Sequence, residues 1–583
     1  METTRRSVLL FAGGSAVGVL FTPAPWRLIT DAALWSETWP GVPVPERREL
    51  HTRYTNCSLC AAGCAMRVRC SGDQPISLAG VPQHPLSKGA LCAFGLAAHH
   101  LPYHPARLKQ GPVQDATAAV AAAIAKCGPG EHVVTLDLRP GRTASWTSRR
   151  AMAAVKNGVY ATASGGFDAA VDLTKVRTVV SFGVPVLDGW GTPGNVIAAR
   201  AGFRLIQVEP VESRTASMAD VWLRIRPGSE DVLAQAFSGA VTPAAASEVT
   251  GIPESQIAAL ATELKQAGPV LVLGTSAMES SPGTIVARRE APVPAEWQKA
   301  APITEFASLS DGSIRVLLID ESTAGDYLPW PAIEKKLVND GAVVVAFTSS
   351  QEGYARHAQY ALPVGVFPEV AEDVPPAVDS PAAAFRISTS LVAEPAGIVK
   401  PEQFIAQAAG LTIGETLRER ADAIHQAGRG TLFTYADGKS AAVKDIKADD
   451  FWKALNTGGC WIDAADGKAP AVRMAAVSPA KPVAETPDLP LVVVFTRELP
   501  PASPILSKVY QESNLRLAPN RVALNPSCGL EDGTAATLQT VLGKCPVEVT
   551  LDAGIPPGAV QVTALPAVLD LCASGARAKV VRS

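Results

Sequence analysis

The sequence Cys57-Ser-Leu-Cys60-Ala-Ala-Gly-Cys64 places three thiols within eight residues, and Cys92 follows after a further 27 residues. Cubane iron–sulfur clusters take four cysteine thiolates, and a tight loop can supply three while a remote residue supplies the fourth. Gly63 lets the backbone turn close to inorganic sulfide, where a side chain would collide. The spacing therefore predicts a [4Fe–4S] cluster ligated by Cys57, Cys60, Cys64 and Cys92.

Two other uses of these thiols stay open at this point. A structural zinc site is one, although zinc motifs usually come as two short ligand pairs. A disulfide with spare thiols is the other. The six further cysteines lack ligand spacing and are expected to be free buried thiols, with a Cys528–Cys545 disulfide as the alternative. They are Cys70, Cys127, Cys460, Cys528, Cys545 and Cys572.

The N-terminus carries an export pattern. Thr4-Arg5-Arg6-Ser7-Val8-Leu9-Leu10 matches the twin-arginine signal, and the uncharged segment Ser7–Phe21 is too short to span a bilayer comfortably. A basic start before a buried helix is the alternative. Twin-arginine export carries folded proteins, which suits a chain that must receive its cluster in the cytoplasm. We expect residues 1–45 to be signal and connector, and the protein to lie on the periplasmic side of the cytoplasmic membrane, anchored there if the signal stays uncleaved.

Length and composition indicate a large globular protein. The 583 residues suffice for several domains, and 47% hydrophobic residues with only 18% charged residues argue against disorder. The net charge is −3, with acids and bases interspersed. Because no basic patch is present, a nucleic-acid partner is not expected.

From about residue 111, short apolar runs alternate with alanine-rich helical stretches. Continuous apolar strands separated by helices are typical of parallel sheets covered on both faces, so two doubly wound units are expected. The predicted helices include Ala118–Lys126, Val196–Ala201 and Ile257–Ala267. The predicted strands are Val133–Leu138, Thr178–Phe182, Arg204–Val208, Val270–Leu273, Val316–Ile319 and Val343–Phe347.

Ligand-binding residue types follow several of these strands. Ligands collect at the carboxyl ends of parallel strands, where glycine allows close backbone approach and a carboxylate can bind ribose hydroxyls or a guanine edge. Each feature alone is weak, because strand ends carry Gly and Asp in most α/β proteins. The candidates for binding a dinucleotide are Gly183, Glu209, Ser213 and Arg214.

Three segments resemble the molybdopterin oxidoreductase family. The cysteine spacing resembles its N-terminal cluster motif, the run Val179–Glu230 resembles its pterin-dinucleotide domain, and Arg521–Gly533 resembles part of its C-terminal barrel. The resemblance implies an α/β protein with an N-terminal [4Fe–4S] module, two doubly wound α/β domains and a C-terminal β-barrel domain. The expected boundaries are 46–110 for the cluster module, 111–157 plus 305–480 for one α/β domain, 158–304 for the dinucleotide-binding-like domain and 491–583 for the barrel.

The sequence departs from the family in three ways that concern chemistry. Active relatives place a lysine two residues after the fourth cysteine, where this chain has Phe94, which carries no charge. The segment expected to hold the molybdenum or tungsten ligand has no cysteine, and Ser164 and Asp168 are its only candidate substitutes. The chain is also shorter than pterin-bearing relatives. These departures predict a retained fold with a lost pterin site.

Three further features complete the expectations. The proline-rich stretch Pro363–Pro381 is predicted to be a surface loop, and Ser478–Pro490 a domain linker. Five histidines in the cluster module are expected to pack and hydrogen-bond around the cluster, or to face a redox partner. They are His51, His84, His99, His100 and His104.

The resemblance implies an exported electron-transfer subunit of a membrane-associated quinone oxidoreductase complex. Its expected partners are a multihaem cytochrome c, a ferredoxin-like iron–sulfur subunit, as well as an integral membrane quinone-binding subunit. The alternative is an active enzyme whose molybdenum or tungsten is held by two pterin-guanine dinucleotides, acting on a sulfur compound, formate or an oxyanion. A third reading gives the cluster a purely structural role, because metal binding can supply folding energy.

Overall fold

A computed structural model describes residues 48–104, 106–163, 169–322, 327–464, 487–496, 520–563, 566–572 and 575–583, with six isolated positions before residue 30. The twin-arginine pattern, the candidate ligands Ser164 and Asp168, and most of the expected linker Ser478–Pro490 lie outside these residues. Among the residues described, no helix is long and apolar enough to cross a membrane.

The strands of the described residues are numbered in chain order. They are β1 Leu50–Asn56, β2 Ala65–Ser71, β3 Gln74–Gly80, β4 His132–Asp137, β5 Gly158–Thr162, β6 Ala169–Val171, β7 Thr178–Phe182, β8 Arg204–Glu209, β9 Val221–Arg224, β10 Val270–Leu273, β11 Ile285–Ala287, β12 Ile303–Glu305, β13 Ile314–Glu321, β14 Val343–Thr348, β15 Tyr360–Pro363, β16 Glu372–Asp373, β17 Ala383–Ser388, β18 Thr431–Thr434, β19 Ser440–Ala442, β20 Gly459–Asp463, β21 Leu491–Thr496, β22 Arg521–Leu524, β23 Ala535–Thr540, β24 Lys544–Leu551, β25 Ala559–Thr563 and β26 Arg577–Arg582.

The α-helices of the same residues are numbered in the same way. They are α1 Ala93–Ala97, α2 Val113–Ala125, α3 Thr143–Ala154, α4 Pro193–Ala199, α5 Arg214–Ser217, α6 Glu230–Ser238, α7 Pro243–Thr250, α8 Glu254–Gln266, α9 Trp330–Glu334, α10 Pro401–Ala408, α11 Thr416–Gln426, α12 Ala448–Gly458 and α13 Pro566–Leu569. All six strands and all three helices predicted from the sequence are present, with ends that differ by no more than five residues.

The N-terminal module is a three-stranded antiparallel sheet in the order β1-β2-β3. On β2 the buried Met66 and Val68 alternate with the exposed Arg67 and Arg69, as expected for a strand with one face in a core. The buried side chains pack with residues of the cysteine loop, so the sheet is the rigid base of that loop.

Two wholly parallel sheets follow, as the apolar runs predicted. One has six strands in the order β12-β5-β4-β13-β14-β15, and the other has four in the order β10-β7-β8-β9. Each sheet is buried on both faces. On the larger sheet, for example, Leu318 packs towards α2, α3 and α10, while Leu317 packs into a second cluster on the opposite face. This is why their strands are continuous apolar runs rather than alternating ones.

Two further sheets complete the described architecture. A five-stranded sheet in the order β16-β17-β20-β18-β19 lies within the region predicted as doubly wound, and its paired strands are antiparallel. The sequence did not predict this sheet, because its strands are short and separated by long helices. Near the C-terminus, the barrel β21-β25-β22-β24-β23-β26 is closed, as the tail sequence predicted. The domain boundaries stay predictions.

One loop prediction is wrong. The stretch Pro363–Pro381 was expected at the surface, but most of it is buried. Val366 and Phe367 pack into the core of the cluster module, and the buried carboxylate of Glu369 forms an ion pair with Arg107. Proline-rich composition indicated an irregular segment correctly, but it did not reveal that two neighbouring sheets enclose that segment.

The ten cysteines are all free thiols, so the alternative disulfide between Cys528 and Cys545 is not formed. Cys70, Cys460, Cys545 and Cys572 are buried, as expected for thiols without ligand spacing, whereas Cys528 is exposed and Cys127 is half-buried.

Candidate metal centre

The cysteine loop is the connection between β1 and β2. The last residue pair of this hairpin is Asn56 and Ala65, and the loop is closed by hydrogen bonds from the Cys57 N–H to the Cys64 carbonyl (2.9 Å) and from the Gly63 N–H to the Cys60 carbonyl (3.2 Å). Gly63 has a φ of +51°, a conformation that other residues adopt only with strain. The hairpin therefore presents three thiols from one tight turn.

The fourth thiol comes from the start of α1. Cys92 caps this short helix, and its Sγ accepts a hydrogen bond from the Gly95 N–H at 3.4 Å. All four thiols of the predicted ligand set line a single cavity. Its other walls include Phe94 and the segment that runs from Gly189 to Pro193, after the carboxyl end of β7. The structure thus brings together the four cysteines that the sequence singled out.

The electrostatics of the four thiols fit a metal cluster. Burial raises the pKa of the Cys57 thiol well above its ordinary value, and repulsion by Cys60, Cys64 and Cys92 raises it further. Four thiolates here would be unstable without a cationic centre to bind them. Within the described residues, no three Cys, His, Asp or Glu side chains approach closely enough to ligate a single metal ion. The four cysteines line one shared cavity, and a [4Fe–4S] cluster takes four cysteine thiolates.

Two buried guanidinium groups hold the cysteine loop from outside. Arg386, on β17, donates to the Ala61 carbonyl at 3.1 Å. Arg139, which follows β4, donates to the carbonyls of Ser58 and Cys60. Both side chains are inaccessible to solvent over more than nine-tenths of their surface. The loop is therefore fixed by two different sheets, one on each side.

Phe94 is buried in the wall of the cavity. The resemblance implies a lysine at this position in active relatives, whereas the apolar ring brings no charge to the thiols. Positive charge reaches the loop from Arg386 and Arg139 instead. Sequence reasoning missed both arginines, because each lies far from the cysteines along the chain and neither belongs to a recognisable motif.

Of the five histidines in the module, His84 and His104 are buried and His99 is half-buried. Burial lowers the pKa of His84 to about 3, with repulsion by Arg386 contributing, and it lowers the pKa of His99 and of His104 to about 4. His84 Nδ1 accepts hydrogen bonds from the N–H groups of Leu86 (3.2 Å) and Ser87 (3.0 Å). His84 therefore packs and hydrogen-bonds, whereas His51 is exposed.

Acid should destabilise the module through His84. Its folded pKa of about 3 lies below the ordinary value of about 6.5, so its contribution to stability is present above pH 6.5 and is lost as the pH falls towards 3. His84→Asn keeps an acceptor oxygen but does not titrate. We expect the difference in unfolding temperature between wild type and His84→Asn to shrink between pH 7 and pH 4. An unchanged difference would show that His84 is not held neutral.

The carboxyl edge of the six-stranded sheet is closed by buried ion pairs. Arg142 lies 2.7 Å from Asp320, 3.4 Å from Asp137 and 3.4 Å from Glu372. Burial alone would lower the pKa of Arg142, but the three carboxylates raise it well above its ordinary value. Tyr160 and Ser145 also donate to Asp137, at 2.7 and 2.6 Å. Polar side chains thus fill the edge where parallel sheets usually bind ligands.

The carboxyl edge of the four-stranded sheet is open. A cleft of about 450 Å³ lies between this edge and the barrel, and Gly183, Glu209, Ser213 and Arg214 all line it. A side chain at Gly183 would meet nothing within 4 Å, so the backbone is accessible there. The structure therefore brings the four candidate dinucleotide-binding residues together.

The side chains of Glu209, Ser213 and Arg214 already form hydrogen bonds or ion pairs within the cleft wall. The Glu209 carboxylate accepts from the Ser213 N–H and from Gln207 Nε2, each at 2.9 Å. The Ser213 hydroxyl caps α5 by accepting from the Ala216 N–H at 3.1 Å, and Arg214 lies 3.3 Å from Asp188. These contacts shape the loop after β8, and a ligand would have to share or displace them.

Comparison with known proteins bears on the cluster module and on the fold. Residues 50–104 match the Molybdopterin oxidoreductase Fe4S4 domain, a domain that binds a [4Fe–4S] cluster. Acetylene hydratase from Pelobacter acetylenicus has a similar fold, with a TM-score of 0.63 and 13% sequence identity over 91% of this chain and 100% of that chain. Residues 50–104 thus form an Fe4S4 domain of the molybdopterin oxidoreductase type, and the predicted resemblance is confirmed there.

Two curated proteins are similar to this chain in sequence. One is the menaquinone reductase, molybdopterin-binding-like subunit of Nitratidesulfovibrio vulgaris, 27% identical over 282 residues, which are 42% of this chain and 41% of the relative. The other is a sulfite dehydrogenase subunit of Allochromatium vinosum, 27% identical over 228 residues, which are 32% of this chain and 23% of the relative. The matches thus span less than half the length of either relative.

Proposed function

We propose that the protein is an iron–sulfur electron-transfer subunit of a membrane-associated quinone oxidoreductase complex. Its cluster is ligated by Cys57, Cys60, Cys64 and Cys92, and when bound it supplies one-electron transfer. The observation that carries this proposal is the convergence of these four thiols, two of them buried and two half-buried, on one cavity. The hairpin and α1 hold the thiols in place, and Phe94 helps to exclude water from them.

The closed sheet edge supports the loss of pterin chemistry. A metal held by two pterin dinucleotides needs room beside the cluster, and parallel sheets offer that room at their carboxyl ends. At the six-stranded sheet this space holds Arg142 and its three carboxylates, all largely buried. In the proposed protein the α/β body serves as scaffold and docking surface, without substrate chemistry of its own.

The relatives and the export pattern support the proposed partners and location. One relative is a subunit of menaquinone reductase and the other of sulfite dehydrogenase, so we propose that this chain also works within a multi-subunit redox complex. Its neighbours would be a multihaem cytochrome c, a ferredoxin-like iron–sulfur subunit, as well as an integral membrane quinone-binding subunit. The twin-arginine pattern supports a position on the periplasmic side of the cytoplasmic membrane.

A second candidate function is favoured by the open cleft. Its 450 Å³ and the accessible backbone at Gly183 suit a dinucleotide. In that case the protein would be a molybdenum or tungsten enzyme with bound pterin-guanine dinucleotide, acting on a sulfur compound, formate or an oxyanion. Ser164 would then be the candidate metal ligand.

Metal and pterin analysis of the native complex tests the two candidates against each other. If the proposal is right, each chain contains the iron and sulfide of one [4Fe–4S] cluster and neither molybdenum nor tungsten. No fluorescence of oxidised pterin should appear after denaturation. Stoichiometric molybdenum or pterin would support the second candidate and end the first. A reversible electron paramagnetic resonance signal coupled to quinol oxidation or quinone reduction separates electron transfer from a purely structural cluster.

A further inference from the structure

Arg386 is a buried cation without a buried anion beside it. Its side chain is 1% exposed, yet no carboxylate of the described residues lies within salt-bridge distance, unlike the buried Arg142 and Arg420, which both have carboxylate partners. Nη1 is buried with no hydrogen-bond partner in the described part of the chain. An unpaired buried charge is costly, so such groups are normally compensated by an opposite charge.

Arg386 points at the cysteine loop. Nη2 donates to the carbonyls of Ala61 (3.1 Å) and Pro375 (3.2 Å), and Nε donates to Val374 (3.4 Å). A Cβ placed on Gly63 would collide with the guanidinium group, so only glycine lets the loop approach this closely. The guanidinium thus packs directly against the residue that precedes the ligand Cys64.

We propose that Arg386 is the counter-cation of the cluster and raises its reduction potential. A [4Fe–4S] cluster held by four thiolates is an anion, and reduction makes it more negative, so a fixed buried cation stabilises the reduced form. The inference rests on the proposed ligation by the four cysteines. It assigns to a residue on β17, far along the chain, the positive charge that Phe94 does not supply.

Two other charged groups lie near the loop. Arg139 is a second buried cation, which donates to the carbonyls of Ser58 and Cys60, and its Nε is buried without a hydrogen-bond partner among the described residues. The Asp379 carboxylate is stabilised by hydrogen bonds from the Thr192 N–H and from Asn195 Nδ2, each at 3.0 Å. Arg386 is therefore one of two buried cations at the loop, and it is the one whose guanidinium packs against Gly63, the residue before Cys64.

Redox titration of the intact holoprotein, followed by electron paramagnetic resonance, tests the inference with three variants. Arg386→Gln keeps a hydrogen-bond donor but removes the charge, and Arg386→Lys keeps the charge. Arg53→Gln is the matched control, because Arg53 belongs to the same module and also donates to two carbonyls, Ser390 (2.8 Å) and Leu391 (2.9 Å). We expect Arg386→Gln to make reduction about tenfold less favourable, a fall of about 59 mV for one electron. The lysine variant and the control should stay near wild type.

Each result of these measurements either supports or overturns the charge role of Arg386. An unchanged potential in Arg386→Gln, or an equal fall in Arg386→Gln and Arg386→Lys, would overturn the charge role. If Arg386→Gln is isolated without iron, the lysine variant decides: retained iron supports a role for charge, and lost iron in both variants shows that shape alone matters. A wild-type protein without a reversible cluster signal would instead refute the proposed function, so the two failures are distinguishable.

Discussion

Replacing Cys64 with serine should abolish the four-iron cluster. Cys64 is buried in the wall of the cavity and its backbone carbonyl closes the hairpin loop. Iron–sulfur clusters select soft thiolate ligands, and a serine hydroxyl is a hard donor that is harder to deprotonate. We therefore expect iron to fall from about four atoms per chain towards none, with loss of the visible absorption and of the paramagnetic signal of the reduced protein.

Cys70→Ser is the matched control for this experiment. Cys70 is also buried in the cluster module, on β2, but it does not line the cavity. Its substitution should leave iron and sulfide contents unchanged, at a modest cost in stability. An intact four-iron spectrum in Cys64→Ser would show that Cys64 is not a ligand, and equal loss in both variants would show that the module had simply unfolded.

Arg142→Met should be the most destabilising single substitution at the sheet edge. It removes the cation that Asp137, Asp320 and Glu372 share. Removing one partner of a buried ion pair typically costs about 3–5 kcal/mol, because the charge left behind has no compensation. We expect the midpoint of chemical unfolding to fall accordingly, as followed by tryptophan fluorescence.

Arg418→Met provides the comparison. Arg418 pairs with Asp422 and Asp449 near the surface, where solvent screens ion pairs, so its removal should change stability little. If Arg142→Met unfolded at the same denaturant concentration as Arg418→Met, the carboxylates at the sheet edge would have to be hydrated or protonated. In that case the carboxyl edge of the six-stranded sheet would not be closed to a ligand.

Local sequence patterns predicted much of the fold. Thr178–Phe182 and Val270–Leu273 were predicted with the bounds that the structure has, because a strand buried on both faces is one unbroken apolar run between turn residues. The short antiparallel strands β16 and β19 carry no such run. Their position depends on pairing with β17 and β18, which is tertiary information.

The candidate site could likewise be predicted only in part from local sequence. The cysteine motif predicted the thiol cavity, because three thiols within eight residues can reach one cluster from a single turn. Arg386 lies 322 residues after Cys64 in the sequence, and nothing in its local sequence indicates that it is buried against the cysteine loop. The same is true of Arg142 and Asp320, which meet only because parallel strands β4 and β13 are neighbours. Contacts of this kind follow from topology and cannot be predicted from composition or motif.

The walls of the thiol cavity have a consequence for how the protein matures. They come from the β1–β2 connection, the start of α1 and the segment between Gly189 and Pro193, and Arg386 covers the outside of the loop. These parts are distant along the chain and meet only in the finished structure. The four thiols therefore come to surround one cavity only once these separate parts of the chain have folded together.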